Sequence, residues 1–206
     1  MEYVLDLYCQ PYDEQSPVVC MDERPYRLLD HVIEPIPMEP GKPRKEDVEY
    51  KRCVTCSIFV YSEPLKGWGH AHARDRRTAI DRAEEIRWLL DEKYYCVPKV
   101  RLVVDNLNTH VIASLYKAFP ASEARRLAKR LEIHYTPKHG SWLNIAEIQI
   151  SVLARQYLCR RIPALNILNR ELDAWNLSHN NVQKNINRQF STDDARIKLN
   201  HLYPPF

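Results

Sequence analysis

The sequence predicts a mixed α/β fold, in which helices pack against a central sheet. Strand patterns come first along the chain, and further strands then alternate with helical patterns, an order typical of a layered α/β domain. Of the 206 residues, 45% are hydrophobic and 28% are charged, which is enough to build a full core. The chain has no internal repeat and no low-complexity tract. We therefore expect a single domain over residues 1–206.

Four segments have strand patterns. The apolar run at residues 18–22 is followed by more extended chain after Pro25, and "EYKRCVTCSIFVYSEP" is rich in β-branched and aromatic residues up to Pro64. The other two strands are predicted at residues 99–105 and 132–136. Between the first two strands, "EPIPMEPGKPRKED" at residues 34–47 is rich in proline and charge and indicates a loop.

Helical spacing of apolar residues predicts the remaining elements. In the helix predicted over residues 143–159, the apolar stripe is Ile145, Ile148, Val152 and Leu153. Residues 65–75 and 137–142 are expected to be loops. The other predicted helices cover residues 76–94, 109–119, 121–131 and 164–181, with Pro120 separating the second from the third.

Two predicted strands end in a carboxylate. Asp22 closes the run "VVCM", and Asp105 closes "VRLVV". If these strands pair in parallel, both carboxylates lie at the same edge of the sheet, where open α/β sheets bind ligands. A third carboxylate, Glu147, lies early in the helix after the 137–142 loop, with the small residues Ser151 and Ala154 on its face. The three positions suggest one acidic site.

Such a site suits divalent-metal chemistry. Mg²⁺ prefers a few carboxylates together with water and phosphate oxygens, and two such ions can clamp a phosphoryl group during in-line displacement. The spacing alone leaves another interpretation open, because an aspartate after a strand commonly begins a turn or caps the next helix.

The residues around the acids resemble a known family. The segments "VVCMDERPYRLL", "LVVDNLNTH" and "HYTPKHGSWLNIAEIQISVLARQYL" are similar to the DDE transposases of the mariner-like insertion-sequence group. The resemblance extends through "EYKRCVTCSIFVYSEPLKGW" and "FSTDDARIKLNHLYP", so it covers nearly the whole chain. It implies a ribonuclease-H-like fold and a transposase that cleaves DNA and transfers the cut strand.

The resemblance also implies roles for individual residues. Asp22, Asp105 and Glu147 correspond to the three catalytic acids, which are expected to bind two Mg²⁺ ions, with Mn²⁺ as a substitute. Asn106 and Asn144 lie beside the acids. They either orient the carboxylates and bound water or only cap and stabilise turns.

Three residues in the loop before Glu147 are candidates for DNA contact: Lys138, His139 and Trp142. A lysine can meet a phosphate, and an aromatic ring can stack on a splayed base. Trp142 has an alternative interpretation, as a core side chain beneath the loop. The net charge of +3 does not by itself indicate nucleic-acid binding.

The chain departs from the family at its start. Members of this group carry an N-terminal helix-turn-helix region, whereas only about 20 residues precede Asp22 here. We therefore expect the catalytic domain alone, acting on transposon ends and target DNA, with a homodimer as the expected assembly. The alternatives are an inactive or domesticated DNA-binding remnant, or another ribonuclease-H-like nuclease.

The sequence also carries a prediction of location. No apolar segment approaches the length of a membrane span, and the N-terminus lacks a basic region followed by an apolar one. We expect no membrane partner and a cytoplasmic protein associated with the bacterial nucleoid.

Overall fold

The computed structural model describes residues 1–106, 112–138 and 140–203. Within these residues, five strands form one mixed sheet: β1 (Val18–His31), β2 (Tyr50–Glu63), β3 (Trp68–Arg74), β4 (Val100–Val104) and β5 (Leu131–Tyr135). Their order across the sheet is β3-β2-β1-β4-β5. The β1–β2 and β2–β3 pairs are antiparallel, whereas the β1–β4 and β4–β5 pairs are parallel.

Helices cover both faces of this sheet. The described α-helices are α1 (Glu2–Tyr8), α2 (Ala79–Trp88), α3 (Ala113–Ala118), α4 (Ala121–Lys129), α5 (Ala146–Gln156), α6 (Leu165–Val182) and α7 (Thr192–Lys198). A π-helical turn, Leu89–Lys93, extends α2. None of the helices in the described ranges is long and apolar enough to cross a membrane.

Alternation along the strands divides the core between the two faces. On β1, Val19 and Met21 join the core beneath α2, α3 and α4, whereas Cys20 joins a core with α1 and the start of α5. On β2, Ile58 and Val60 pack with α5 and α6 on that second face. Every helix therefore rests on the same sheet, which holds α5 in a fixed position relative to β1 and β4.

Strand β3 corrects the loop predicted at residues 65–75. Its alternate residues Gly69, Ala71 and Ala73 are poor strand formers, so the sequence pattern pointed to a loop. These small residues face α6, which approaches closely: a Cβ on Gly69 would lie 2.8 Å from the His179 ring. Large side chains at these positions would prevent α6 from packing closely against β3. This packing makes the segment a strand despite the low strand propensity of its residues.

Asparagines of α6 pair with the outer edge of β3. Asn176 donates to the carbonyl of Ala71 over 3.0 Å, and its oxygen accepts the Ala71 N–H over 2.7 Å. Asn169 makes the same two bonds to Ala73, and Asn180 to Gly69. This asparagine ladder satisfies the free backbone groups of an edge strand, which would otherwise be open to pairing with another chain.

Other differences from the predicted elements are smaller. Strand β1 continues through Pro25 to His31, because beyond Cys20 its described pairing is with β2 alone and a proline fits on the free side. In α5, Ile148 is 48% exposed and Gln149 is buried, so Ile148 does not belong to the buried stripe. The sequence also gave no indication of α1 and α7, which pair through Glu2 and Arg196.

The predicted 34–47 loop belongs to a longer connection between β1 and β2. Residues 32–49, called the arm below, form two isolated bridges, Ile36 with Lys45 and Glu39 with Lys42. Several aliphatic side chains of the arm are exposed: Val32, Ile33, Ile36, Met38 and Val48.

Candidate metal centre

The parallel register of β1 and β4 brings the first two acids to one edge of the sheet. Cys20 pairs with Val103, and each acid lies two residues further along the chain, with Asp105 directly after the end of β4. Because side chains alternate with a period of two, Asp22 and Asp105 point to the same side as this pair. The expectation of parallel pairing, made from the sequence, is met.

Glu147 completes the cluster from α5. It is the second residue of this helix. One carboxylate oxygen from each of Asp22, Asp105 and Glu147 lies within 4.8 Å of the other two. The structure therefore places the three predicted acids together, although the first and the last are far apart in the sequence.

Asp22 carries the electrostatic cost of this arrangement. Its side chain is almost buried, with 9% of the residue exposed. Burial, reinforced by the charge of Asp105, raises its pKa from the ordinary 3.8 to about 7. The Glu23 N–H opposes this shift by donating to Asp22 Oδ1 over 2.7 Å. A bound cation would reverse the balance and favour the ionised form.

Asp105 is held from β5 and from the start of α5. Thr136, which directly follows β5, donates its hydroxyl to Asp105 Oδ1 over 3.1 Å, and its N–H donates to the Val104 carbonyl over 3.0 Å. Asn144 Nδ2 approaches the same carboxylate oxygen at 3.4 Å. Thr136 was not among the predicted site residues, although it is the first residue of the "TPKHGSW" motif.

Asn144 connects the three elements that carry the acids. Its Nδ2 donates to the Met21 carbonyl on β1 over 2.8 Å, and its Oδ1 accepts the Ala146 N–H at the start of α5 over 3.2 Å. Only 1% of the residue is exposed. The amide of Asn144 thus contacts β1, the Asp105 carboxylate and the first N–H of α5, and its role at the site stays a prediction.

The remaining predicted site residues surround the acids less tightly. Asn106 follows Asp105 and is exposed, and Lys138 is exposed in the loop. Trp142 is 44% exposed, with its ring edge-on to Phe190 at 5.8 Å between centroids, so it is neither fully buried nor free. His139 lies outside the described residues.

Arg188 supports the loop before Glu147 and was not anticipated. It donates to the Leu143 carbonyl over 3.1 Å, and its guanidinium lies 5.3 Å from the Trp142 ring centroid. The Tyr8 hydroxyl donates to the same carbonyl over 3.0 Å. The backbone immediately before Asn144 is thus fixed by both terminal regions of the described chain, a contact that local sequence patterns cannot reveal.

An open groove runs from the acids along α5. Its volume is about 420 Å³, and its lining includes Asp22, Arg24, Glu147, Ser151, Ala154 and Arg155. Ser151 and Ala154 have small side chains and leave the groove open along this part of α5, as their spacing after Glu147 predicts. A ligand can therefore reach the carboxylates from solvent along this face.

Comparison with known proteins identifies the family. A family model described as DDE superfamily endonuclease matches residues 17–168. The chain belongs to this family. The match contains all three acids, and the resemblance seen in the sequence is confirmed. Among curated proteins, none matches the chain.

Solved structures agree with this assignment at the level of the fold. The Mos1 mariner paired end complex with Mn superposes with a TM-score of 0.55 at 13% identity, and the Mos1 strand transfer complex with 0.56 at 14%. Each alignment covers 86% of this chain but only 52% of the Mos1 chain. The DDE domain described here thus has the predicted ribonuclease-H-like α/β fold, and it spans about half of the Mos1 length.

The donor set of the DDE domain fits divalent cations. All three ligands are carboxylate oxygens, which hard cations such as Mg²⁺ and Mn²⁺ prefer. No sulfur or imidazole ligand belongs to the cluster, so its chemistry differs from a zinc site. Family membership and geometry together indicate use of a divalent metal.

Proposed function

We propose that this DDE domain is the catalytic domain of a transposase, which cleaves DNA and transfers the cut strand with Mg²⁺ as cofactor. The observation that carries the proposal is the convergence of Asp22, Asp105 and Glu147 just beyond the point where the pairing of β1 with β4 ends. The cores on both faces share one sheet, which supports treating residues 1–206 as a single catalytic domain.

Asp22, Asp105 and Glu147 are the residues that would hold the metal, and we infer two Mg²⁺ ions, with Mn²⁺ as a substitute. When bound, such ions supply Lewis-acid stabilisation of the phosphoryl oxygens and activate water or a 3′-hydroxyl. The use of Mn in the Mos1 paired end complex supports this choice of metals.

The protein's own residues prepare the acids for this task. Thr136 and Asn144 fix the orientation of Asp105, and Asn144 also sets the start of the helix that presents Glu147. Asp22 has to give up its proton before it can act as a ligand, because its raised pKa keeps part of the population protonated near neutral pH. Binding of Mg²⁺ should therefore become tighter as pH rises to about 7.

DNA is the proposed substrate, and the loop before Glu147 supplies candidate contacts. Lys138 is exposed and can neutralise a phosphate, while the exposed part of Trp142 can stack on an unpaired base. His139, which follows Lys138 in the sequence, is a candidate on sequence grounds alone. The Mos1 paired end and strand transfer complexes support transposon ends and target DNA as the partners of this fold.

We also infer that the working form is a homodimer, because joining two element ends requires two catalytic centres. The exposed aliphatic side chains of the arm are surface that a contact between copies would cover. Sedimentation velocity of the domain with and without DNA tests this. A species that stays monomeric under both conditions would contradict it.

The proposed activity is tested by nicking of a supercoiled plasmid with Mg²⁺. The intact domain should nick DNA, and Glu147→Gln should abolish nicking because it removes a ligand without changing the side-chain shape. Glu92→Gln is the matched control, since Glu92 is an exposed glutamate outside the cluster. Equal nicking by Glu147→Gln and the control would refute the assignment, and no nicking by the intact domain would favour the inactive remnant.

A further inference from the structure

The groove beside the acids carries positive charge at its far end. Arg24 and Arg155 both line it, one contributed by β1 and the other by α5. Both side chains are exposed, and within the described part of the chain neither guanidinium forms an ion pair with a carboxylate. Arg155 Nε donates only to the backbone carbonyl of Ser151, at 3.3 Å.

Each arginine follows an acid on the same element. Arg24 lies two residues after Asp22, on the same face of β1 and about 7 Å further along it. Arg155 lies eight residues after Glu147, about 12 Å further along α5. Phosphates on one strand of a B-form duplex are about 3.4 Å apart along the axis. The two cations are therefore two to four nucleotides away from the acids, by this measure.

The charge distribution of the groove explains why such cations are needed. The groove begins at the carboxylates of Asp22, Asp105 and Glu147, so a polyanion that enters it meets concentrated negative charge. A DNA strand approaching the acids meets repulsion unless cations hold phosphates near the reacting one. Arg24 and Arg155 are placed to do this, and the small side chains of Ser151 and Ala154 leave room for the strand.

We propose that this groove is a binding subsite for the DNA strand flanking the reacting phosphodiester, with Arg24 and Arg155 as its phosphate ligands. The inference rests on the proposed cleavage function and extends it by giving the strand a direction. The strand runs from the loop containing Lys138 and Trp142, across the acids, and along α5 toward Arg155. The arginines bind substrate and take no part in holding the metal.

The test compares Arg24→Gln, Arg155→Gln and the double variant with intact protein in DNA binding at several salt concentrations. Each single substitution should weaken binding to all sequences and reduce the slope of log K against log salt by about 0.9, the value for one phosphate contact on duplex DNA. In nicking assays, the double variant should raise KM about tenfold with little change in kcat, because uniform binding is lost.

Arg170→Gln is the matched control, since Arg170 is an exposed arginine on α6 outside the groove. Mn²⁺ binding by the double variant should remain, which separates this subsite from the metal centre. If the intact domain nicks DNA but the double variant keeps the same salt slope and KM, the subsite is wrong and the cleavage function stands. If the intact domain does not nick, the function itself fails.

Discussion

Two polar regions of this molecule lie at different boundaries of the same sheet, and they differ in how their polar groups are satisfied. At the outer edge of β3, amides of Asn169, Asn176 and Asn180 each give and accept one backbone hydrogen bond. Just beyond the point where the pairing of β1 with β4 ends, Asp22 and Asp105 meet Glu147, and all three are acceptors when ionised.

The difference distinguishes polar groups that stabilise the fold from polar groups that can bind a ligand. An amide is both donor and acceptor, so the asparagine ladder closes an edge strand and leaves nothing for a ligand to satisfy. Like charges held together do the opposite, because they lower stability until a cation binds. Burial, together with the charge of Asp105, raises the pKa of Asp22, and this shift is the sign of that cost. Polar clusters that the protein itself does not compensate are the ones to examine for function.

The largest expected effect on the free energy of unfolding comes from removing the buried charge of Asp22. The pKa of Asp22 in the folded protein is raised to about 7 from 3.8, so the folded state keeps a proton that the unfolded state releases. The contribution of this group to stability is therefore full below pH 3.8 and is lost as pH rises to about 7. Without metal, Asp22→Asn should stabilise the protein at pH 8 by on the order of 4 kcal/mol.

This prediction is checked by urea unfolding in EDTA at pH 5 and pH 8. The free energy of unfolding of the variant should exceed that of wild type by much less at pH 5 than at pH 8. At pH 5, the Asp22 carboxyl is protonated in most of the folded wild-type protein. A variant that is less stable than wild type at pH 8 would mean that the Asp22 carboxylate is compensated in the folded state.

Breaking the asparagine ladder should have the next largest effect, and in the opposite direction. Asn176→Ala leaves the N–H and C=O of Ala71 without partners in a buried position, at a cost of about 3 kcal/mol. For a chain of this length, Tm should fall by about 10 °C. Asn181→Ala, an exposed asparagine on the same helix, should change stability by less than about 0.5 kcal/mol. Similar melting of the two variants would contradict a structural role for the ladder.

A smaller effect is expected from Thr136, a neutral side chain that donates a hydrogen bond to one of the acids. Thr136 is a positioning residue that acts through Asp105, so Thr136→Val should weaken Mn²⁺ binding about tenfold while keeping the shape of the side chain. Thr136→Ser restores the hydroxyl and should recover most of the affinity. If valine and serine variants bind Mn²⁺ equally well, the hydroxyl does not orient the carboxylate.

The sequence predicted the acidic region better than the ladder, for physical reasons. Asp22 and Asp105 follow apolar runs, and parallel pairing then puts them at one edge without further information. Strand β3 was missed because Gly69 and Ala71 have low strand propensity, and the approach of α6 that selects them is a tertiary contact. The asparagines at positions 169, 176 and 180 were a usable signal, since they recur on one face of a helix.

Other features of the site depend on contacts between distant parts of the chain. Thr136 reaches Asp105 only because β5 lies beside β4, and Arg188 reaches Leu143 from a segment with no regular pattern. Ile148 was expected in the buried stripe of α5, yet it is exposed and Gln149 takes the buried position. Helical spacing identifies a face but cannot fix its rotation to better than one residue.

The most direct test of the account is a calorimetric titration of the domain with Mn²⁺. The central claim is that Asp22, Asp105 and Glu147 form one divalent-cation site. The intact protein should bind Mn²⁺, Asp105→Asn should bind none, and Asp173→Asn, which changes an exposed aspartate on α6, should bind like the intact protein. Binding by Asp105→Asn with unchanged affinity and stoichiometry, or no binding by the intact protein, would contradict the claim.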